Sequence, residues 1–260
     1  MHTTSSFSIL ARLTVFIFAL AGQIHAGPPF VTDDPEPVEF QHWEIYLASL
    51  QSHTAEGWSG TLPHVEINYG VMPDVQLHLI APLSFDRAVG QNTRHGYGDT
   101  ELGVKYRFIQ ETPTCPQVGI FPMLELPTGS QERGLGNGKA QLFTPVWLQK
   151  TMGAWSSYGG GGYWFNPGGN NRNYWFTGWQ VQRKITEAFA LGLEVYHETA
   201  KTHGGSSDTV LNLGAIYDLS ESYHLLASAG HTVQGPSQFI GYLALQMTFG
   251  PKEVKAETKK

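Results

Sequence analysis

The chain has 260 residues, with 22 Asp and Glu against 16 Lys and Arg, a formal charge of −6 at pH 7 and a single cysteine. That balance argues against a nucleic-acid surface, and one cysteine excludes an internal disulfide framework and a cysteine-based metal site. Thirty glycines, fifteen prolines and 12% aromatic residues suit many strands joined by turns and fit a helical protein poorly.

In chain order, Leu13 to Ala21 is an apolar run preceded by Arg12, and Ile24-His25-Ala26 offers a small-residue cleavage site. Residues 1–26 therefore read as a signal peptide, too short for a membrane-spanning helix. Residues 27–39 form an extended segment whose prolines forbid regular pairing. It reads either as a leader without fixed structure or as a partial plug, at the mouth or in the lumen of a barrel built from residues 40–249. Its Asp33 and Asp34 form a candidate calcium pair.

Residues 40–249 hold twelve stretches that alternate apolar and polar residues: 40–51, 61–71, 75–85, 97–109, 117–128, 139–150, 154–165, 173–185, 188–198, 208–218, 222–233 and 238–249. The last shows the pattern best. Phe239, Leu243, Leu245, Met247 and Phe249 point one way, while Tyr242, Ala244, Gln246 and Thr248 point the other. An apolar outer face over a polar inner face is what a bacterial outer-membrane barrel requires. The expected fold is all-β: a single antiparallel transmembrane β-barrel of about 12 strands. The alternative, a soluble barrel or sandwich, would need a second layer to cover twelve apolar faces.

The connections support the barrel. Met72-Pro73-Asp74, Thr151-Met152-Gly153, Thr186-Glu187 and Leu219-Ser220-Glu221 are short, and 110–116 is somewhat longer. Residues 86–96, 129–138, 166–172 and 199–207 are longer and more polar, as expected of extracellular loops facing short periplasmic turns. Aromatic residues near strand ends, such as Trp43, Tyr69, Phe108, Tyr217, Tyr223 and Phe249, suit a periplasmic girdle. The final strand, 239–249, ends on Phe249 and reads as the signal for the outer-membrane assembly machinery. Residues 250–260 read as a periplasmic tail without fixed structure. Strands 139–150 and 154–165 resist assignment: Phe143, Pro145 and Trp147 compete with Leu142, Val146 and Leu148, and Gly159–Gly162 blur the alternation.

The inward faces carry whatever chemistry exists. Alternation places His42, Glu44, His64, Glu66, Asn68, His78, Asp99, Glu101, Lys105, Arg107, Glu125 and Glu194 in the lumen. Pairing across the tight turn sets Asn68 opposite His78, and pairing across 110–116 sets Glu101 near Glu125. Lys105 and Arg107 are expected to neutralise nearby carboxylates. The set reads either as a salt-bridged filling or as a polar path that sorts solutes. Carboxylates outnumber cations in it, so an open lumen would prefer cations or neutral solutes to anions.

Three stretches carry a family resemblance. Pro28 to Pro37 followed by Trp43-Glu44-Ile45, Gly98 to Phe108, and Met123 to Gly129 are similar to segments of the outer-membrane family named for the MetA pathway of phenol degradation. The resemblance implies a single antiparallel barrel that moves small, hydrophobic or aromatic molecules across the outer membrane of a Gram-negative bacterium. It implies no catalytic residues.

An enzyme is the rival class, because lipid-modifying enzymes of the outer membrane are also barrels; a closed structural barrel is the third. No Gly-x-Ser-x-Gly elbow and no His-x-Ser pair on one strand face is present. His53, His95 and His203 fall in expected loops. His42, His64 and His78, with Glu44 and Glu66, form the one grouping that resembles a metal or acid–base site, and it reads more simply as lumen lining. The expectation is a passive channel with no cofactor and no metal, whose partners are outer-membrane lipids and a small-molecule solute.

Overall fold

The structure, a computed structural model, describes residues 27–251. The expected signal peptide and nearly all of the expected tail lie outside the described residues. The rest is an antiparallel meander of β1 (Trp43–Thr54), β2 (Gly57–Met72), β3 (Val75–Ala88), β4 (Arg94–Tyr97), β5 (Thr100–Ile109), β6 (Gln117–Ile120), β7 (Met123–Leu126), β8 (Gln141–Met152), β9 (Trp155–Phe165), β10 (Tyr174–Thr186), β11 (Phe189–Glu198), β12 (Asp208–Asp218), β13 (Tyr223–Gln234) and β14 (Phe239–Phe249). Each pairs with its neighbours, and β1 closes on β14 from Trp43 opposite Phe249 to His53 opposite Phe239. The result is a closed barrel of twelve staves.

Fourteen strands make twelve staves because two staves are broken. The expected strand 97–109 becomes β5 after a break at Gly98-Asp99, and its stave continues as β4, which reaches back into the expected loop 86–96; both pair to β3. The expected strand 117–128 divides at Phe121-Pro122 into β6 and β7, both paired to β5 and to β8. Pro122 has no N–H to give the ladder, yet its carbonyl still accepts from Val104 N at 3.2 Å. The pairing register is the same on both sides of that break, with Tyr106 opposite Ile120 and Gly103 opposite Met123.

Strands run further on the longer-loop side than alternation alone suggests. The first hairpin continues to Thr54 and resumes at Gly57, and β3 reaches Ala88 within the expected loop 86–96. His53 and His95 accordingly lie on strands, contrary to expectation, because backbone pairing continues beyond the last clearly alternating residue. On the opposite rim the turns are tight. Asp74 adopts a left-handed conformation (φ 62°), tolerated by a short polar side chain, and Gly153 does the same (φ 61°).

The alternation resolves in space as expected. On β12, Leu211, Leu213 and Tyr217 face outward while Val210, Asn212, Gly214 and Ile216 are buried. The ambiguous strand β8 turns Leu142 and Val146 outward and Phe143 and Trp147 inward. These two join Phe121, Phe176, Tyr196, Val210 and Ile240 in an apolar cluster inside the barrel, toward the longer loops. Phe143 stacks on Trp164 at 4.8 Å and meets Phe176 edge to face at 6.0 Å. The girdle is present on the short-turn rim, where Trp43 stacks on Tyr69 at 4.3 Å.

Leu213, 59% exposed at the middle of β12, tests the outward face. Leu213→Arg is expected to cost about 2–4 kcal/mol of folding free energy in lipid vesicles. Denaturant titration of the vesicle-inserted barrel reads it; no change would mean that the face does not meet lipid.

Candidate functional site

The lumen is occupied by the chain's own N-terminal segment. Residues 27–38 enter it, residues 39–42 lead along the short-turn rim into β1, and Phe30, Thr32 and Asp34 are buried in the lumen. Residues 27–39 thus follow a defined path along the inner wall.

The wall is shaped to admit this segment. Five inward-facing glycines, Gly70, Gly119, Gly178, Gly192 and Gly214, lie where the segment passes. A Cβ on Gly119 would stand 2.9 Å from Pro35 Cβ, and one on Gly214 would stand 2.5 Å from the Phe30 ring. On Gly70 and Gly178 it would overlap the Glu39 carbonyl and the Thr32 hydroxyl. Only a residue without a side chain lets a backbone approach this closely.

At the rim the segment makes one parallel bridge to the wall, Phe40 to Gly70, and deeper in the lumen polar side chains satisfy its backbone. Glu194 accepts from Val31 N at 3.2 Å and from Thr32 N. Gln76 Oε1 accepts from Val38 N at 2.8 Å. Ser228 Oγ donates to the Pro29 carbonyl at 2.7 Å, and Tyr158 Oη donates to the Gly27 carbonyl at 3.2 Å. Gln117 and Gln149 each donate to Glu36, at 3.1 and 3.2 Å.

Charge completes the anchorage. Lys105 Nζ lies 2.9 Å from Asp33 Oδ1 and 3.5 Å from Asp34 Oδ2. The ammonium thus lies against both carboxylates of the candidate calcium pair. Arg107 reaches Asp74 in the turn through Nη2 at 2.7 Å and Nε at 2.9 Å, and Glu36 at 3.7 Å. Partial burial raises the Asp74 carboxyl, but the hydrogen bonds from Arg107 and Gln110 outweigh it and hold the group below the usual range. Burial pushes the Asp34 carboxyl well above that range, against the opposing pull of Lys105. Both lumen cations are therefore engaged with the plug or a turn rather than with the other expected carboxylates.

The remaining expected residues divide into separate groups. Asn68 stands opposite His78 as expected, 2.7 Å from its Nδ1. His78 Nε2 lies 2.9 Å from Glu101, and its Nδ1 lies 3.7 Å from Glu66, which also accepts from Asn68 at 2.8 Å. His64 is 2.9 Å from Thr61 Oγ1 and leaves Nε2 buried without a partner. His42 sits apart at the short-turn mouth, 3.0 Å from the Phe40 carbonyl. The grouping of three histidines is therefore not assembled, and among the described residues no set of three His, Cys, Asp or Glu could hold a metal.

Glu44 accepts from Tyr46 at 2.6 Å and from Gln246 at 2.7 Å. Glu125 stands opposite Glu101, as expected, and accepts from Asn137. Asp99 organises the loop after β7, accepting from Gly129 N at 2.8 Å and Asn137 N at 2.5 Å. Between the segment and the wall, at the short-turn end of the barrel, is a cavity of about 860 Å³ lined by residues that include Asp33, Glu36, Glu44, Glu66, Lys105 and Lys184. It opens at the short-turn rim, beside Glu187 and Glu221.

Alternation missed the residues that matter most to this site: Phe30, Thr32 and the glycines beneath them. The signal was present. Gly178, Gly192 and Gly214 occupy inward positions on three consecutive strands where a side chain would otherwise fill the lumen.

A sequence profile of the family described as "Putative MetA-pathway of phenol degradation" matches residues 57–249. A comparison with curated proteins finds no match. Among solved structures, an outer-membrane channel from Pseudomonas putida F1 is similar with a TM-score of 0.70 and 13% identity, over 83% of this chain and 98% of that one. The KdgM porin in complex with disordered oligogalacturonate gives a TM-score of 0.58 and 12% identity, over 79% and 99%. The NanC porin gives a TM-score of 0.57 and 8% identity, over 78% and 98%. At these identities the likeness is one of fold.

The Lys105 contact can be tested directly. Lys105→Met leaves Asp33 and Asp34 in the lumen without their cation, which costs the docked segment about 3–5 kcal/mol. The docked state holds Asp34 with a raised pKa and so binds its proton more readily than the released state; acidification therefore favours docking. In Lys105→Met, residues 27–39 are expected to be cut by added protease at neutral pH and protected in mild acid. Equal protection at both would show that the ion pair does not hold the segment.

Proposed function

We propose that this chain, which belongs to the MetA-pathway of phenol degradation family, is an outer-membrane channel for the passive passage of small molecules, closed in the described conformation by its own residues 27–38. The observation that carries this reading is how the segment is held. It crosses a closed barrel on a track of glycines and is fastened by individually modest hydrogen bonds and a lysine clamp. Single hydrogen bonds contribute about 0.5–1.5 kcal/mol each, so the segment can leave without unfolding the wall. The fold shared with outer-membrane channels, the apolar outer face and the family membership agree with an address in the outer membrane of a Gram-negative bacterium.

Passage is passive on this reading, and no energy-coupling motif is recognisable in the sequence. The lumen left by the segment keeps Glu44, Glu66, Glu101, Glu125 and Glu194 against Lys105 and Arg107, and so favours cations and neutral solutes over anions. A lipid-modifying enzyme would need a nucleophile and base within reach of each other. The ring nitrogens of the buried His78 instead face Asn68, Glu66 and Glu101.

The test is single-channel recording in planar bilayers with the refolded chain, with and without residues 27–38. The intact chain is expected to dwell mostly closed, and the deletion variant to show stable, larger steps with weak cation preference. Identical records would show that the segment does not close the path. Clear anion selectivity would overturn the charge argument, and a folded deletion variant that never conducts would favour a closed structural barrel.

A further inference from the structure

Phe30 and Thr32 fill a hollow that three wall strands prepare, with the backbone of Val31 between them. Gly192 on β11 pairs with Gly214 on β12, and a Cβ on them would stand 2.6 and 2.5 Å from the Phe30 ring. Two residues along the same strands and on the same face, Glu194 pairs with Asn212. Two strand residues span about 7 Å. The Glu194 carboxylate is fully buried and accepts from Val31 N at 3.2 Å, from Thr32 N and from Asn212 Nδ2 at 2.9 Å. The plug thus presents to the wall a benzene ring and, a short distance away, two N–H donors. Gln180 Oε1 and Asn212 Oδ1 are buried nearby, with no hydrogen-bond partner among the described residues.

We propose that this hollow is a binding site for solutes in which an aromatic ring is joined by a short linker to an ammonium group, and that Phe30–Thr32 is a tethered stand-in for such a solute. Withdrawal of the plug removes two of the three donors from Glu194. The carboxylate then faces the opened lumen with one amide donor, and a cation is the partner that complements it. The glycine pair receives the ring, because a flat apolar slot is what absent side chains leave there. The unpartnered amide oxygens accept the remaining ammonium protons. An aryl carboxylate of the same length would set an anion against Glu194 and is rejected. Phe30–Thr32 and the solute exclude each other, so binding favours the withdrawn plug by mass action.

The site rests on the plug withdrawing, as proposed above, but its occupancy can be read without any current. The experiment is calorimetric titration of 2-phenylethylammonium and of 3-phenylpropionate into the refolded barrel lacking residues 27–38. Saturable binding of the ammonium and none of the carboxylate is expected. Glu194→Gln and Gly214→Val in that background should each weaken binding about tenfold or more, and the intact chain should bind more weakly than the deletion variant. Phe30→Ala in the full chain, whose plug has lost its ring anchor, should bind more tightly than the intact chain and serves if the deletion variant does not fold. Equal binding of the carboxylate, indifference to both wall substitutions, or no binding to any of these chains would overturn the site. A variant that conducts without binding removes the site and leaves the channel, whereas one that binds without conducting does the reverse.

Discussion

A polypeptide segment cannot lie inside a narrow barrel unless the wall gives it room and replaces the hydrogen bonds it would make to water. Both conditions bear on residues 27–38. Room comes from glycines at inward positions, where the backbone of the wall is the surface that the segment touches. Replacement hydrogen bonds come from Glu194, Gln76, Ser228 and Tyr158, each of which reaches a backbone group of the segment. An unpaired buried amide or carbonyl costs about as much as a lost hydrogen bond, so this matching decides whether the segment enters at all.

The two halves of the lumen are closed by different physics. Toward the longer loops, Phe143, Trp147, Phe176 and Tyr196 pack into an aromatic cluster held by ring contacts and exclusion of water. Toward the short turns lies the N-terminal segment, held by ions and hydrogen bonds beside a cavity rich in carboxylates. Apolar side chains can part by changing rotamer, whereas the plug must exchange a defined set of polar partners. Lys105 ties the two regions together, since its ammonium pairs with Asp33 and Asp34 and also lies 4.9 Å from the Phe121 ring of the cluster.

The expected lumen charges do different work for the same reason. Alternation treated His42, Asp99 and Glu194 as equivalent lining, because parity reports only which way a residue points. Their neighbours differ. His42 sits before β1 at the mouth, Asp99 fastens a loop at a break in a stave, and Glu194 binds the plug backbone. The pairs Asn68–His78 and Glu101–Glu125 were legible because a tight turn or a continued register fixes which residues stand opposite.

The amino-acid sequence by itself determined the barrel, its facing, the turn and loop sides and the closing strand. Those features arise from a side-chain period of two and from local turn chemistry, which need only neighbours in the chain. The ambiguity of 139–165 arose where both faces are apolar, so that Phe143 and Leu142 satisfy the same rule. Only the tertiary structure decided that residues 27–38 enter the lumen, that Asp33 and Asp34 are the carboxylates Lys105 serves, and that Gly178, Gly192 and Gly214 form one hollow. Phe30 and Gly214 are separated by most of the chain, and closing the barrel brings them together. No local pattern records a contact made by the absence of a side chain.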